Sequence, residues 1–174
     1  MTRPDISEKL VKKVFLAIGS NLGNRKKNID LAKFKLTSKF TKIISCSSYY
    51  ETPSWPNPRY PKFINIVISI KTNLTPMKLL DLCNIIEVEI GRKRVFKNDP
   101  RTCDIDIIDY DKKIINITGE KKLEIPHPSM HNRNFVLLPL FEISKRWIHP
   151  QTKESIEKLI KKLNINELSS IKQI

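Results

Sequence analysis

The run Phe63-Ile64-Asn65-Ile66-Val67-Ile68-Ser69-Ile70 alternates strictly, so Ile64, Ile66, Ile68 and Ile70 share one face of a strand. Five residues on, Thr75-Pro76 supplies an N-cap hydroxyl and a proline at the first helical position, and Gly91 stands just past the far end. Between them Leu79, Leu82, Cys83, Ile86 and Ile90 predict the core stripe of a helix. Upstream, Val14–Ile18 is a short apolar run ending in Gly19 and reads as a buried strand. The turn Gly19-Ser20-Asn21-Leu22-Gly23-Asn24 leads into a helical stripe of Ile29, Ala32, Leu36 and Phe40. Ile43–Tyr50 is β-branched and aromatic, hence a strand. Glu51–Lys62, with Pro53, Pro56, Pro58 and Pro61, must be a long, semi-rigid loop. Downstream, Cys103–Tyr110 alternates into a strand, and Asp111-Lys112-Lys113 turns it into Ile114–Ile117. Ser129–Ile143 reads as a loop entering a short helix interrupted at Pro139, and Thr152–Leu163 as a last amphipathic helix before a fraying basic tail.

The order β-α-β-β-α-β from Val14 to Tyr110 predicts an α/β (α+β) fold with a ferredoxin-like βαββαβ core, extended by a C-terminal hairpin and helices. The expected organisation is an N-terminal extension (1–13), one domain (14–163) and a basic tail (164–174). Such a fold serves many functions, so the chemistry has to come from particular residues.

The 174 residues are 40% hydrophobic, which suits one domain with a proper core and excludes wholesale disorder. The best apolar run, Phe135–Leu138, is cut by Pro139 and falls far short of the ~20 residues of a membrane span. The first thirteen residues lack an apolar stretch of the secretory kind. Cys46, Cys83 and Cys103 are odd in number and widely spaced, which argues for reduced thiols in a cytoplasm and against a disulfide or zinc scaffold. With 32 Lys+Arg against 18 Asp+Glu the net charge is +14, which implies affinity for phosphate-bearing partners or, equally, a lysine-rich composition spread over the surface. Where the eight arginines fall is more telling.

Asp104 and Asp106 stand two apart on the predicted strand, so their carboxylates point to one face while Ile105 and Ile107 face the other. Two carboxylates ~6 Å apart repel by roughly 3 kcal/mol at an effective dielectric of about 20, so something positive should offset them. Oxygen ligands of this kind suit Mg²⁺ together with phosphate oxygens; the same pair could also be the polar face of an ordinary strand. Arg92, Arg94 and Arg101 lie within twelve residues before the pair, in the basic loop Arg92–Arg101, for which a merely solvated loop is the alternative. Guanidinium forks match phosphate oxygens, and cations for phosphates beside carboxylates for metal is the layout of nucleotide phosphoryl transfer. His127 and Arg133 offer further donors, and Phe135 a ring for stacking, although His127 taken alone reads first as a satisfied structural histidine. His131 and His149 read as surface residues. Trp55, Phe63 and Asn65 suggest a flat heteroaromatic ligand held by stacking and edge hydrogen bonds, with a core asparagine satisfied by backbone as the alternative. Gly19 and Gly23 form neither a dinucleotide fingerprint nor a P-loop.

From Val14 to His149 the chain resembles the 6-hydroxymethyl-7,8-dihydropterin pyrophosphokinase family of the folate pathway. The resemblance is carried by Ala17-Ile18-Gly19-Ser20-Asn21-Leu22-Gly23, Tyr50-Glu51-Thr52-Pro53, Phe63-Ile64-Asn65, Glu87 through Gly91-Arg92-Lys93-Arg94, Pro100-Arg101-Thr102-Cys103-Asp104-Ile105-Asp106-Ile107, and Pro126-His127-Pro128 with Arg133, Phe135, Pro139 and Leu140. It implies transfer of pyrophosphate from ATP to the pterin hydroxymethyl oxygen, leaving AMP. By this likeness Asp104 and Asp106 would hold two Mg²⁺ ions, and Arg92, Arg101, His127 and Arg133 would contact phosphates and stabilise transferring charge. Asn84, Glu87, Arg94 and Ile107 match positions near the nucleotide. Asn65 would bind the pterin edge between Phe63 and Phe135, with Thr52, Pro53 and Trp55 at the rim. The chain departs from the family pattern at Val95-Phe96-Lys97-Asn98-Asp99, where relatives often carry Trp-Gly, and at Lys122 and Glu124. The implied partners are ATP and the pterin, with no nucleic acid and no membrane, in a cytoplasmic monomer open to association with other folate-pathway enzymes. A basic ferredoxin-like RNA-binding module is the alternative; it requires exposed aromatics on the central strands.

Overall fold

The computed structural model describes residues 11–38, 40–55, 57–93 and 99–174. In chain order β1 (Lys12–Ser20), α1 (Arg25–Leu36), β2 (Thr41–Cys46) with β3 (Tyr50–Thr52), β4 (Phe63–Thr72), α2 (Pro76–Glu89) and β5 (Asp104–Tyr110) give βαββαβ, the second strand being split in two. The strands pair antiparallel in the order β5-β1-β4, and both β2 and β3 share the far edge of β4. This is the expected ferredoxin-like arrangement. β6 (Ile115–Ile117) and β7 (Leu123–Ile125) form a separate hairpin, followed by α3 (Asn134–Ile143), α4 (Ile156–Lys161), α5 (Ile165–Ser170) and β8 (Lys172–Gln173).

The sheet buries both faces. On one, Ile64, Ile66, Ile68 and Ile70 join Leu16, Ile18, Ile105 and Ile107 beneath Ile29, Ala32 and Leu36 of α1 and Leu79, Cys83 and Ile86 of α2. On the other, Phe15, Val67 and Ile108 lie under Val136, Leu137 and Leu140 of α3, Trp147, and Ile156 and Leu159 of α4. Burying such a side chain is worth roughly 2 kcal/mol. A one-residue slip of β4 would bring Asn65, Val67 and Ser69 in place of isoleucines to the face under α1 and α2, so the alternation fixes the register. α2 begins as expected, with the Thr75 hydroxyl accepting from Lys78 N, and Gly91 takes φ +93° just past its end.

Several expected boundaries move for local reasons. β1 starts at Lys12, inside the stretch assigned to the extension; residues 1–10 of that extension lie outside the described residues. α1 ends at Leu36, where Thr37 N bonds back to Lys33 O, so Phe40 falls off the stripe and is 44% exposed. The strand expected over 43–50 breaks at Ser47, whose N–H donates to Val67 O while its Oγ accepts from Val67 N. Glu51 and Thr52 belong to β3 and not to the proline-rich loop. Pro139 does not interrupt α3; Val136, Leu137 and Leu140 are buried around it, and tertiary packing outweighs the missing N–H. The last amphipathic helix contracts to α4 behind a Ser155 cap. The tail does not fray: Asn164 and Glu167 form a reciprocal capping box, and β8 pairs with β3.

His149, expected at the surface, is only 4% exposed. Its Nδ1 accepts the backbone N–H groups of Gln151 and Thr152, both at 3.2 Å. Burial, reinforced by His131 and opposed by Glu154, lowers its pKa from the ordinary value. The folded protein therefore binds fewer protons than the unfolded chain. The corresponding stability is complete above the unfolded value of about 6.5 and is lost as pH falls from there toward the lower folded value. Urea unfolding across that range should show declining stability in the wild type and a flatter profile in His149→Gln; equal slopes would contradict this. Asp109, 1% exposed, accepts from Trp147 Nε1 at 2.7 Å and Lys112 N at 2.8 Å. Trp147→Phe leaves one oxygen of that buried carboxylate without its donor and should cost about 2–3 kcal/mol of unfolding free energy, measured by denaturation.

Candidate active site

Position by position, the centre of the sheet sets out the site. In the middle strand Gly19 pairs with Asn65 of β4 on one side and Asp104 of β5 on the other, and Ala17 pairs with Asp106. Small residues on β1 thus leave a floor between an amide and two carboxylates. A Cβ at Gly19 would stand 2.8 Å from Asn65 Oδ1, so any larger residue there must displace the Asn65 amide. Above the floor opens a cavity of about 690 Å³ lined by both acids, Arg101, Arg133, Asn65 and the rings of Phe63 and Phe135, with Thr52, Pro53 and Trp55 at its edge. Trp55 is 76% exposed.

The acids are met by guanidinium groups. Arg92 Nη1 bridges Asp104 Oδ1 and Glu87 Oε2, each at 2.6 Å, and Arg101 Nη2 lies 2.5 Å from Asp104 Oδ2. Glu87 is buried, and its Oε1 accepts from Ile105 N at 2.7 Å, so α2 is tied to β5 through the residue that aims Arg92. Burial acts to raise the Asp104 pKa, but Arg101 and Arg92 outweigh it and hold the carboxyl below its ordinary value. Asp106 has less compensation. Arg133 Nη1 is 3.3 Å and His127 Nε2 3.8 Å from its Oδ2. Burial, with the adjacent Asp104 charge, raises its pKa. Burial lowers that of His127. Ser129 N donates to His127 Nδ1 at 3.1 Å, which leaves the neutral ring its proton on Nε2, the nitrogen facing Asp106.

The two rings are tied to the same charges. The Arg101 guanidinium lies 5.1 Å from the Phe63 centroid and that of Arg133 5.6 Å from Phe135. Two chains result, Phe63–Arg101–Asp104 and Phe135–Arg133–Asp106, and all six residues line the cavity. The Asn65 amide donates to Thr52 Oγ1 at 3.1 Å, so its partner is a rim side chain and not the backbone.

The donor set suits a hard divalent cation. Among the described residues no group of three or more His, Cys, Asp or Glu could hold a metal. An ion at Asp104 and Asp106 would thus have two carboxylates and take its other ligands from water or substrate, as Mg²⁺ does. Arg101 Nε is buried without a partner, a spare donor for an anion.

The structure does not bring every expected residue to the cavity. Ile107 is buried in the sheet core and Glu87 beneath Arg92, and neither lines it; Asn84, half-buried on α2, does not line it either. Arg92 and His127 stand behind the acids. Arg94 and the departure at 95–98 lie outside the described residues, as does Pro56. Sequence reasoning missed three residues. Asn21 is buried and holds Arg101 N at 2.7 Å and Pro61 O at 3.1 Å, tying the arginine to the proline-rich loop. Ser54, 4% exposed, lines the cavity with an unpartnered Oγ. Asn134 lines it between Arg133 and Phe135. A polar residue inside a tight turn could have flagged Asn21; the other two gave no signal.

A ferredoxin-like domain whose sheet carries paired acids, a guanidinium cluster and an aromatic slot is a narrow class. The family described as 7,8-dihydro-6-hydroxymethylpterin-pyrophosphokinase (HPPK) matches residues 15–145, and the chain belongs to that family. It is 40% identical over 137 residues to the 2-amino-4-hydroxy-6-hydroxymethyldihydropteridine pyrophosphokinase of Aquifex aeolicus, covering 79% of this chain and 83% of that protein. To the Haemophilus influenzae protein of the same name it is 38% identical over 149 residues, covering 84% and 90%. The folic acid synthesis protein fol1 of Pneumocystis carinii is 39% identical over 158 residues, 91% of this chain. This chain spans only about a fifth of that relative and of its Dictyostelium discoideum counterpart. The fold is similar to that of Plasmodium falciparum HPPK-DHPS, with a TM-score of 0.75 at 18% identity, over 97% of this chain and 49% of that one.

Gly19→Ala should push the Asn65 amide away from Thr52. With a buried amide left unpaired, the loss should be about 1–3 kcal/mol in urea unfolding, with the Asn65 side-chain NH₂ resonances shifted. Unchanged resonances would show that the glycine is not needed for space.

Proposed function

We propose that this chain transfers pyrophosphate from ATP to the hydroxymethyl group of 6-hydroxymethyl-7,8-dihydropterin, giving AMP and the pterin diphosphate in folate biosynthesis. The observation that carries the reading is that one cavity joins the acid and guanidinium cluster to the slot between Phe63 and Phe135. A flat bicyclic ring between the phenyl groups, its polar edge on Asn65, would point a hydroxymethyl arm along the floor toward the acids. Arg92, Arg101 and Arg133 supply donors for the phosphate chain, and the His127 Nε2 proton adds a neutral one. Asp104 and Asp106 would hold the Mg²⁺, two ions by the family likeness, that neutralises the triphosphate. Transfer of this kind needs little covalent help, so the groups act by positioning the hydroxyl in line with the β-phosphorus and by stabilising charge. Pro53, Trp55 and Pro58, which line the cavity, would exclude water over the ring. We assign no general base.

An RNA-binding module is disfavoured because Phe15, on the central strand, is buried under α3 and α4, where such a module would present it. No helix among the described residues is long and apolar enough to cross a membrane. We place the reaction in the cytoplasm, where the free thiols Cys46, Cys83 and Cys103 would stay reduced, and read the chain as a monomer.

Incubation with ATP, Mg²⁺ and the hydroxymethyl pterin should release AMP only when all three are present. Asp104→Ala should lower kcat roughly a hundred- to a thousandfold with the circular dichroism spectrum retained. AMP release at the wild-type rate would remove the metal assignment, and pterin-independent release would remove the reaction.

A further inference from the structure

The last eleven residues lie beyond the family match at 15–145 and add nothing to either core. α5 has no buried residue, both residues of β8 are exposed, and the second core closes at Leu163. The segment is nevertheless fastened to both walls of the cleft. At one end Lys172 and Gln173 pair with Glu51 and Tyr50 of β3. There Ile174 N donates to Tyr49 O and Gln173 Nε2 to Ser48 Oγ, each at 2.9 Å. At the other end the buried Asn134 Nδ2 donates to Glu167 O at 2.5 Å and to Ser170 Oγ at 3.2 Å. β3 ends in Thr52, which holds Asn65, and Asn134 immediately precedes Phe135. Glu167 and Ser170 themselves line the cavity.

We propose that residues 164–174 form a strap that positions the two walls of the ring slot, setting the spacing between Phe135 and the Thr52–Asn65 pair. This rests on the reading of the cleft as the pterin site. All the attachments are polar hydrogen bonds, so the strap contributes little to the cores but removes alternative arrangements of the walls. A slot that is competent only part of the time binds more weakly by that fraction, and tying it restores the affinity. The phosphate-binding side has ties of its own through Asn21, Glu87 and Asp104, so the strap acts chiefly on the ring slot.

The test is calorimetric titration of 6-hydroxymethylpterin and, separately, of a non-hydrolysable ATP analogue with Mg²⁺. The proteins compared are the wild type, full-length Asn134→Ala, a chain ended at Leu163, and that shortened chain carrying Asn134→Ala. Either single change should raise the pterin Kd about tenfold and move the analogue Kd less than about threefold, with pterin KM rising more than kcat falls. Because Asn134 acts through the strap, the combined protein should bind no more weakly than the shortened one. A peptide of residues 164–174 should restore pterin affinity to the shortened chain but not to the combined protein. An unchanged pterin Kd, equal losses for both ligands, or fully additive effects would overturn the strap. A wild-type protein that binds no pterin would instead overturn the function on which it rests.

Discussion

Asp104 and Asp106 repel each other, and their strand cannot separate them, because residues two apart on β5 project to the same side. Much of the molecule around the cleft is arranged about that conflict. Arg92 comes from the end of α2 and is held in place by Glu87, Arg101 is held by Asn21 from the turn after β1, and Arg133 enters at the start of α3. Three separate parts of the chain thus deliver cations to one strand. The compensation is unequal: Asp104 has two close guanidinium partners, whereas Asp106 has one more distant partner and a neutral imidazole. That leaves the negative end of the site open to a further positive charge.

The same arginines link charge to shape. Each phenyl ring of the slot lies beside a guanidinium that also reaches an acid, an attraction worth about 0.5–1 kcal/mol per pair at sites of partial exposure. The rings are therefore not free flaps. Their placement depends on the electrostatics one layer down, and a change at either acid is felt at the slot.

The fold was legible where periodicity and punctuation agreed. The isoleucine alternation of β4 and the Thr75-Pro76 start of α2 left little room for another reading. Boundaries were lost where a single long-range contact decided them, as at Ser47, whose hydroxyl bonds across to Val67, or at Pro139, retained in a helix by the packing around it. The acids, Asn65 and the rings were legible because chemistry demands those residue types there. Asn21, Ser54 and Asn134 were not, since a buried polar residue acquires its meaning only from partners tens of residues away. His149 failed for the same reason: nothing in its neighbours along the chain reveals that it is enclosed.

The floor made by Ala17 and Gly19 gives the cleft a fixed length scale. Asn65 and Asp104 flank the same residue on neighbouring strands, so the distance between their backbones is two strand spacings, about 9.5 Å. Hydrogen bonds of the ladder set that span, and no change of side chain can alter it. Substitutions at the rim can reshape the opening, but any ligand that touches both ends must match a ruler built into the backbone.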